Sequence, residues 1–116
     1  MATQDPTRTT SFVVDPFQTI LTSEEPATDP PTREHVLDVS PDGRVLRGIW
    51  EIGPGVTEDV EEDELFVVLS GRATVELESG ETLELKPGSV GVLRRGQHAR
   101  WTVHETLRKV FQITTD

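Results

Sequence analysis

Apolar and polar residues alternate along short runs from about residue 34 onward, and each run ends at a glycine or proline turn. In residues 72–78 the apolar side chains occupy one face of a strand and the polar ones the other. Residues 65–69 are apolar throughout, which is typical of a strand buried on both faces. About seven such strands, with turn signals roughly every 8–12 residues, predict an all-β sandwich or small barrel. No segment has helical periodicity.

The first 33 residues differ in composition, because they are rich in Thr, Pro, Asp and Ser and contain a proline pair at 30–31. Their only apolar islands are 12–17 and 19–21. We therefore predict an extended arm over residues 1–33 and a β-barrel domain over residues 34–116. Two interpretations of the arm remain open. It lies loosely over the domain, or its apolar islands pair with a sheet edge of its own or a partner subunit.

Length and charge exclude several classes of protein. The 116 residues suit one domain, and 21 acidic against 11 basic side chains give a net charge of −10. Such a charge opposes binding to nucleic acid or to anionic membranes. The chain has no cysteine, and no stretch approaches the roughly 20 apolar residues of a membrane-spanning helix. The N-terminus has no apolar signal-peptide core, so we expect a cytoplasmic protein without nucleic-acid or membrane partners.

The spacing of glycines and acidic residues resembles that of the cupins. Their two motifs read G-x5-H-x-H-x3or4-E-x6-G and G-x5-P-x-G-x2-H-x3-N. Glu64 precedes Gly71 by seven positions, Gly88 precedes Gly96 by eight, and one hairpin fills the interval between the motifs. The resemblance covers residues 48–113. It implies a small single-domain β-barrel of the cupin type, which is a jelly roll.

Within the cupins the chain looks most like the subgroup that resembles the cupin domain of (S)-ureidoglycine aminohydrolase. The matches are Trp50-Glu51, Pro54-Gly55, Asp63-Glu64, Gly71, Pro87-Gly88, Gly96, Trp101-Thr102-Val103, and Arg108-Lys109 before Phe111. This resemblance implies a small metabolic enzyme as one alternative, a hydrolase or isomerase acting on a small nitrogenous or carbonyl compound.

The histidines of the cupin metal site are missing from their expected positions. With three residues before Glu64, the first motif's histidine positions fall on Glu58 and Val60, and that of the second motif falls on Ala99. A transition metal needs three or four convergent donors, and Glu58 and Glu64 alone remain. We therefore expect neither a metal nor any other cofactor.

Charged residues cluster at two places. Six of the seven residues over 58–64 are carboxylates, which predicts a solvated loop, with a hard cation such as Mg²⁺ or Ca²⁺ as the alternative. A basic cluster at 94–100, which includes Arg100, is expected to balance that loop. Capture of an anion at the barrel mouth is the alternative for this cluster.

Strand alternation directs Glu64, Trp101 and Lys109 into the barrel, with Trp50 as a further candidate. A glutamate and a lysine in an apolar interior are expected to pair, because an isolated buried charge costs several kcal/mol. Such a pair beneath a tryptophan can hold a small polar ligand or transfer a proton. The structural alternatives are an ion pair without function, a lysine that extends to the rim, and tryptophans that merely fill the core.

The predicted function is small-molecule binding in the barrel interior, without a metal. The enzyme described above is the alternative, and a purely structural role is the third. We expect a homodimer in which the arm or an edge strand crosses over. The candidate catalytic residues are Glu64 and Lys109, and the candidate ligand-binding residues are Trp50, Trp101, Glu58 and Arg100.

Overall fold

All regular secondary structure in the part of the chain that the structure describes is β-strand. This computed structural model describes residues 10–116, so the predicted arm over residues 1–9 lies outside the described residues. Within residues 10–116, no helix is long and apolar enough to cross a membrane. The strands are β1 (Thr22–Ser23), β2 (Thr32–Val39), β3 (Val45–Ile52), β4 (Gly55–Val60), β5 (Asp63–Leu77), β6 (Thr82–Leu85), β7 (Val90–Leu93) and β8 (His98–Thr114). The predicted all-β fold is confirmed.

Two long strands, β5 and β8, pair with each other and connect two groups of shorter strands. The first half of β5 pairs with β7 and the second half with β6. The second half of β8 pairs with β3, which continues to β2 and β1, and the first half pairs with β4. We call β1, β2, β3 and β7 with their halves of the long strands the first strand group, and β4 and β6 with theirs the second.

The β5–β8 ladder is irregular where the chain passes from one group to the other. Its register shifts three times between Val68 and Ala73. Gly71 lies at this crossing with a φ of 88°, and a Cβ atom there would lie 2.1 Å from the carbonyl oxygen of Thr106. Only glycine combines this positive φ with so close an approach of the two backbones. The glycine of the first motif therefore permits the crossing.

The core lies between the two strand groups. Side chains alternate in burial along β8, and Phe66 and Val75 of the two halves of β5 are both at most 1% exposed. These alternating faces meet as the layers of a sandwich do. The members of the core cluster are Ile52, Phe66, Val68, Ala73, Val75, Leu77, Leu85, Leu93, Ala99, Trp101, Val103, Leu107 and Phe111.

Part of the predicted arm is anchored to the first strand group. The Arg108 guanidinium donates hydrogen bonds to the carbonyl oxygens of Pro16, Phe17 and Thr19, at 2.9, 3.2 and 3.2 Å. Leu21 is buried, and β1 follows it and pairs with β2. The described residues of the two apolar islands form no strand. The boundary at residue 33 stays a prediction.

Candidate functional site

A cavity of 360 Å³ lies between the two strand groups. Its walls come from β2, β3, β4, β5 and β8, from the segment that joins β4 to β5, and from Glu24 and Thr28, which precede β2. The volume falls within the range of about 300–1,000 Å³ that is common for small-molecule pockets. Four of the six candidate site residues line it, namely Trp50, Glu64, Trp101 and Lys109.

Glu64 and Lys109 form an ion pair at the base of the cavity. Lys109 Nζ lies 2.6 Å from Glu64 Oε2, and both side chains are 7% exposed. At this distance the ammonium is the charge partner of Oε2, which has no other hydrogen-bond partner among the described residues. We infer that charge attraction holds the two groups together.

Three aromatic rings surround the Lys109 ammonium. Nζ lies 4.6 Å from the ring centroid of Trp50, 4.8 Å from that of Phe66 and 5.1 Å from that of Trp101. The two indoles meet edge to face, with centroids 6.1 Å apart and planes at 75°. Aromatic faces attract cations within about 6 Å. The rings therefore offset part of the cost of burying the ammonium.

Glu61 is a cavity residue that the pattern of the sequence does not indicate. It is 8% exposed, and its Oε2 accepts a 3.1 Å hydrogen bond from Trp101 Nε1. Burial raises the pKa of this carboxyl above its ordinary value of 4.5. The Trp101 hydrogen bond and the Lys109 charge act in the opposite direction, and the Glu64 and Asp59 charges raise the pKa further.

β2 and the predicted arm add two further carboxylates, which the pattern of the sequence does not indicate either. Glu34 lies on β2, and burial followed by the charge of Glu24 raises its pKa above 4.5, while the charge of Lys109 lowers it. Glu24 Oε2 accepts a 2.6 Å hydrogen bond from the hydroxyl of Thr32. The acidic character of the cavity therefore extends to its rim.

The structure places the remaining two candidate residues elsewhere. Glu58 and Arg100 are cross-strand neighbours on β4 and β8, and both are exposed and absent from the cavity walls. They border a separate, open depression on the outer face, together with Glu76. The expectation of a solvated acidic loop over residues 58–64 is wrong in two respects. Residues 58–60 belong to β4 and residues 63–64 to β5, and Glu61 and Glu64 are buried. Glu58 is exposed as expected, but on a strand.

The two histidine positions of the first cupin motif lie one residue before the predicted ones. Thr57 and Asp59 line the cavity and pair with Trp101 and Ala99, whereas Glu58 is outside the cavity and Val60 borders it at the end of β4. The first motif is therefore better counted with four residues before Glu64. Ala99 occupies the position of the second-motif histidine and offers no donor atom.

Two further observations bear on a cupin metal at this position. The Lys109 ammonium already lies against Glu64. Among the described residues, no group of three or more His, Asp or Glu side chains could hold a metal ion. The residues present do not fit a cupin transition metal.

An antiparallel jelly roll with a cavity between its two strand groups defines the molecule as a cupin-type domain. The family model of the EutQ-like cupin domain matches residues 39–111. The chain therefore belongs to the EutQ-like cupin domain family. The predicted membership of the cupins is confirmed.

Solved structures share this fold at low sequence identity. A protein described as ethanolamine utilization protein Q, from Salmonella typhimurium LT2, is 21% identical, with a TM-score of 0.73 over 88% of this chain and 84% of that chain. A protein of unknown function from Acidithiobacillus ferrooxidans is 26% identical, with a TM-score of 0.64 over 86% and 98%. Ectoine synthase from P. lautus is 20% identical, with a TM-score of 0.64 over 72% and 63%. No curated protein was found to match the chain.

Proposed function

We propose that the protein binds a small molecule in the 360 Å³ cavity, without a metal. The observation that carries the proposal is the Glu64–Lys109 ion pair beneath Trp50 and Trp101. Aromatic walls beside convergent polar groups are a common form of ligand site. The charged side chains of the cavity meet the ligand's polar group, and the indoles pack against its body.

A thermal-shift screen of small metabolites with the full chain tests this function. A ligand that binds only the folded state raises the melting temperature in proportion to its concentration relative to Kd. Ethanolamine enters the panel because a structural neighbour's description names ethanolamine utilization. We expect a stabilising ligand whose effect is lost in Trp101→Ala. Phe12→Ala, a matched truncation of an exposed ring outside the cavity, is expected to retain it.

An enzyme is the second candidate, because the Glu64–Lys109 pair also has the composition of a proton-transfer site. The matches to the subgroup of the (S)-ureidoglycine aminohydrolase cupin domain support a hydrolase or isomerase of a small nitrogenous or carbonyl compound. We propose this closer relationship on those matches alone. Incubation of each ligand from the screen with the protein, followed by mass spectrometry, tests turnover. In an enzyme, Glu64→Gln abolishes turnover and leaves ligand affinity largely intact.

We further propose that the chain forms a homodimer through the outer face of the first strand group. Four apolar side chains are exposed there on the paired strands β5 and β7, with exposures of 38–66%. They are Leu65, Val67, Val90 and Val92. A second copy fits this face because a twofold axis brings the same apolar patch against itself and closes the assembly.

A further inference from the structure

The cavity contains many more carboxylates than cations. One ammonium, that of Lys109, faces six carboxyl groups. Lys109 is paired with Glu64, and no other carboxyl group of the cavity has a basic nitrogen within 4.0 Å among residues 10–116. The six carboxyl groups are those of Glu24, Glu34, Asp59, Glu61, Glu62 and Glu64.

A second feature of the cavity is a buried carboxylate that has no cation beside it. Glu61 is 8% exposed and lines the cavity, and its Oε2 accepts one hydrogen bond from Trp101 Nε1. No basic nitrogen among residues 10–116 lies within 4.0 Å of it. A buried carboxylate without a cation costs free energy, which a ligand ammonium would recover.

The aromatic walls are suited to the same kind of ligand. The rings of Trp50, Phe66 and Trp101 already hold one ammonium at 4.6–5.1 Å. Trp101 is only 4% exposed, but Trp50 is partly exposed and lines the cavity, so part of its ring is available to a ligand cation. The raised pKa values of Glu61 and Glu34, caused first by burial and then by neighbouring carboxylates, agree with an excess of negative charge that a cation would relieve.

We propose that the ligand is a small protonated primary amine. This inference rests on the proposed function and names the ligand class of the same cavity. The ammonium donates hydrogen bonds to Glu61 and Asp59, and the carbon chain packs against Trp50 and Trp101. A primary ammonium has three donors, which suits convergent carboxylates, and charge-assisted hydrogen bonds of this kind are the strong ones.

Tryptophan fluorescence is a direct reporter of the cavity. The chain has two tryptophans and no tyrosine, and both tryptophans line the cavity. The full chain is titrated at constant ionic strength with butylamine, 1,4-diaminobutane, butan-1-ol and butyrate, which share four carbons and differ in charge. MgCl₂ is a fifth probe. We expect a saturable change of emission with the amines, and none with the alcohol, the acid or Mg²⁺ at the same concentrations.

Two variants assign the effect to the acidic wall. Glu61→Gln keeps an acceptor for Trp101 Nε1 but removes the charge, and we expect a loss of amine affinity of about tenfold. Glu105→Gln removes the same charge from an exposed position outside the cavity and is expected to change nothing. If Glu61→Gln does not fold, Asp59→Asn takes its place, because Asp59 is exposed on the cavity rim.

The remaining outcomes separate this inference from the proposed function. Binding of butan-1-ol or butyrate as tight as that of butylamine overturns the amine class and leaves small-molecule binding intact. A saturable response to Mg²⁺ with none to the amines assigns the carboxylates to a hard cation and also overturns it. Amines without effect, together with a neutral or anionic ligand from the metabolite screen, overturn the amine class alone. A screen without any ligand overturns the proposed function itself.

Discussion

At the scale of single residues, the main feature of the cavity is the Glu64–Lys109 pair, which places two opposite charges in a buried position. Both groups are buried, and the centroids of three aromatic rings lie 4.6–5.1 Å from the ammonium. Buried ion pairs often contribute little net stability, because desolvation opposes the attraction. Removal of one partner is a different matter, since it leaves the other charge buried without compensation.

We therefore expect Lys109→Met to lower the free energy of unfolding by about 3–5 kcal/mol, because Glu64 then lies buried and unpaired. In the double variant Glu64→Gln with Lys109→Met, the loss of unfolding free energy is expected to be smaller than the sum of the losses in the two single variants. Urea denaturation of the four proteins gives the double-mutant cycle. Additive losses in that cycle would mean that the two side chains do not stabilise each other.

The raised pKa of Glu61 gives a pH dependence of stability. Its folded pKa exceeds 4.5, because burial and the charges of Glu64 and Asp59 outweigh Trp101 and Lys109, so the folded state retains a proton that the unfolded state releases. Stability must then fall as pH rises from 4.5 through the folded pKa. We expect Glu61→Gln to flatten this part of the curve of unfolding free energy against pH. If the curve of the Glu61→Gln variant kept the wild-type slope, Glu61 would not be the cause of this pH dependence.

Glu51 affects the pH dependence of stability in a separate range, below pH 4.5. Burial alone would raise its pKa, but the hydrogen bonds and charges of Arg33 and Arg108 hold the pKa below 4.5. The stabilisation it contributes is therefore present above 4.5 and is lost as pH falls through the folded pKa. Measurements between 4.5 and neutral pH report on Glu61 and its acidic neighbours without interference from Glu51.

At the scale of elements, strand alternation predicted the side chains that lie within regular strands. It directed Trp101 and Lys109 of β8 inward, and both are buried. It could not predict Glu61, which lies between β4 and β5. There, hydrogen bonds of the backbone with Gln97 and Gly96, rather than the pleat of a strand, hold the residue in position. The sequence carries no periodic signal for such a position.

Glu24 and Asp59 also line the cavity, and the sequence does not indicate them for different physical reasons. Glu24 belongs to an arm whose path depends on contacts distant in sequence, such as those of Arg108. The cupin motif permits three or four residues before its glutamate, and a count of three points to Glu58 where a count of four points to Asp59. A shift of one residue along a strand exchanges the inner and outer faces, so the count of three places this one candidate, Glu58, on the surface.

The crossing of β5 from one strand group to the other gives a prediction at the element scale. Gly71 and Gly80 have similar φ values of 88° and 97°, but a Cβ atom at Gly80 would meet nothing within 4 Å. We expect Gly80→Ala to cost about 1–2 kcal/mol for the left-handed backbone alone. Gly71→Ala adds an overlap with the Thr106 backbone and is expected to cost about 1–3 kcal/mol more. Thermal unfolding of both variants compares them, and equal losses would contradict a steric role for the crossing.

At the scale of the whole molecule, charge and apolar surface have opposite effects on self-association. A net charge of −10 repels a second copy, whereas Leu65, Val67, Val90 and Val92 leave an exposed apolar face on the first strand group. Within the described residues β7 pairs with β5 alone, so its other edge is also open. Burial of this face and edge against a second copy would remove both from water.

We therefore expect the wild-type protein to sediment at twice the mass of one chain, and Val92→Glu to sediment as a monomer. The substitution places a charge on the β7 face, where a twofold contact would bring it near its own copy and bury it without a partner. Val56→Glu introduces the same charge at a comparably exposed position, 47% against 52%, on β4 of the second strand group, and is expected to remain dimeric. A monomeric wild type, or a Val92→Glu variant that still dimerises, would assign this face to another partner or to none. Because the cavity is complete within one chain, amine binding is expected to survive Val92→Glu, and this separates the assembly from the site.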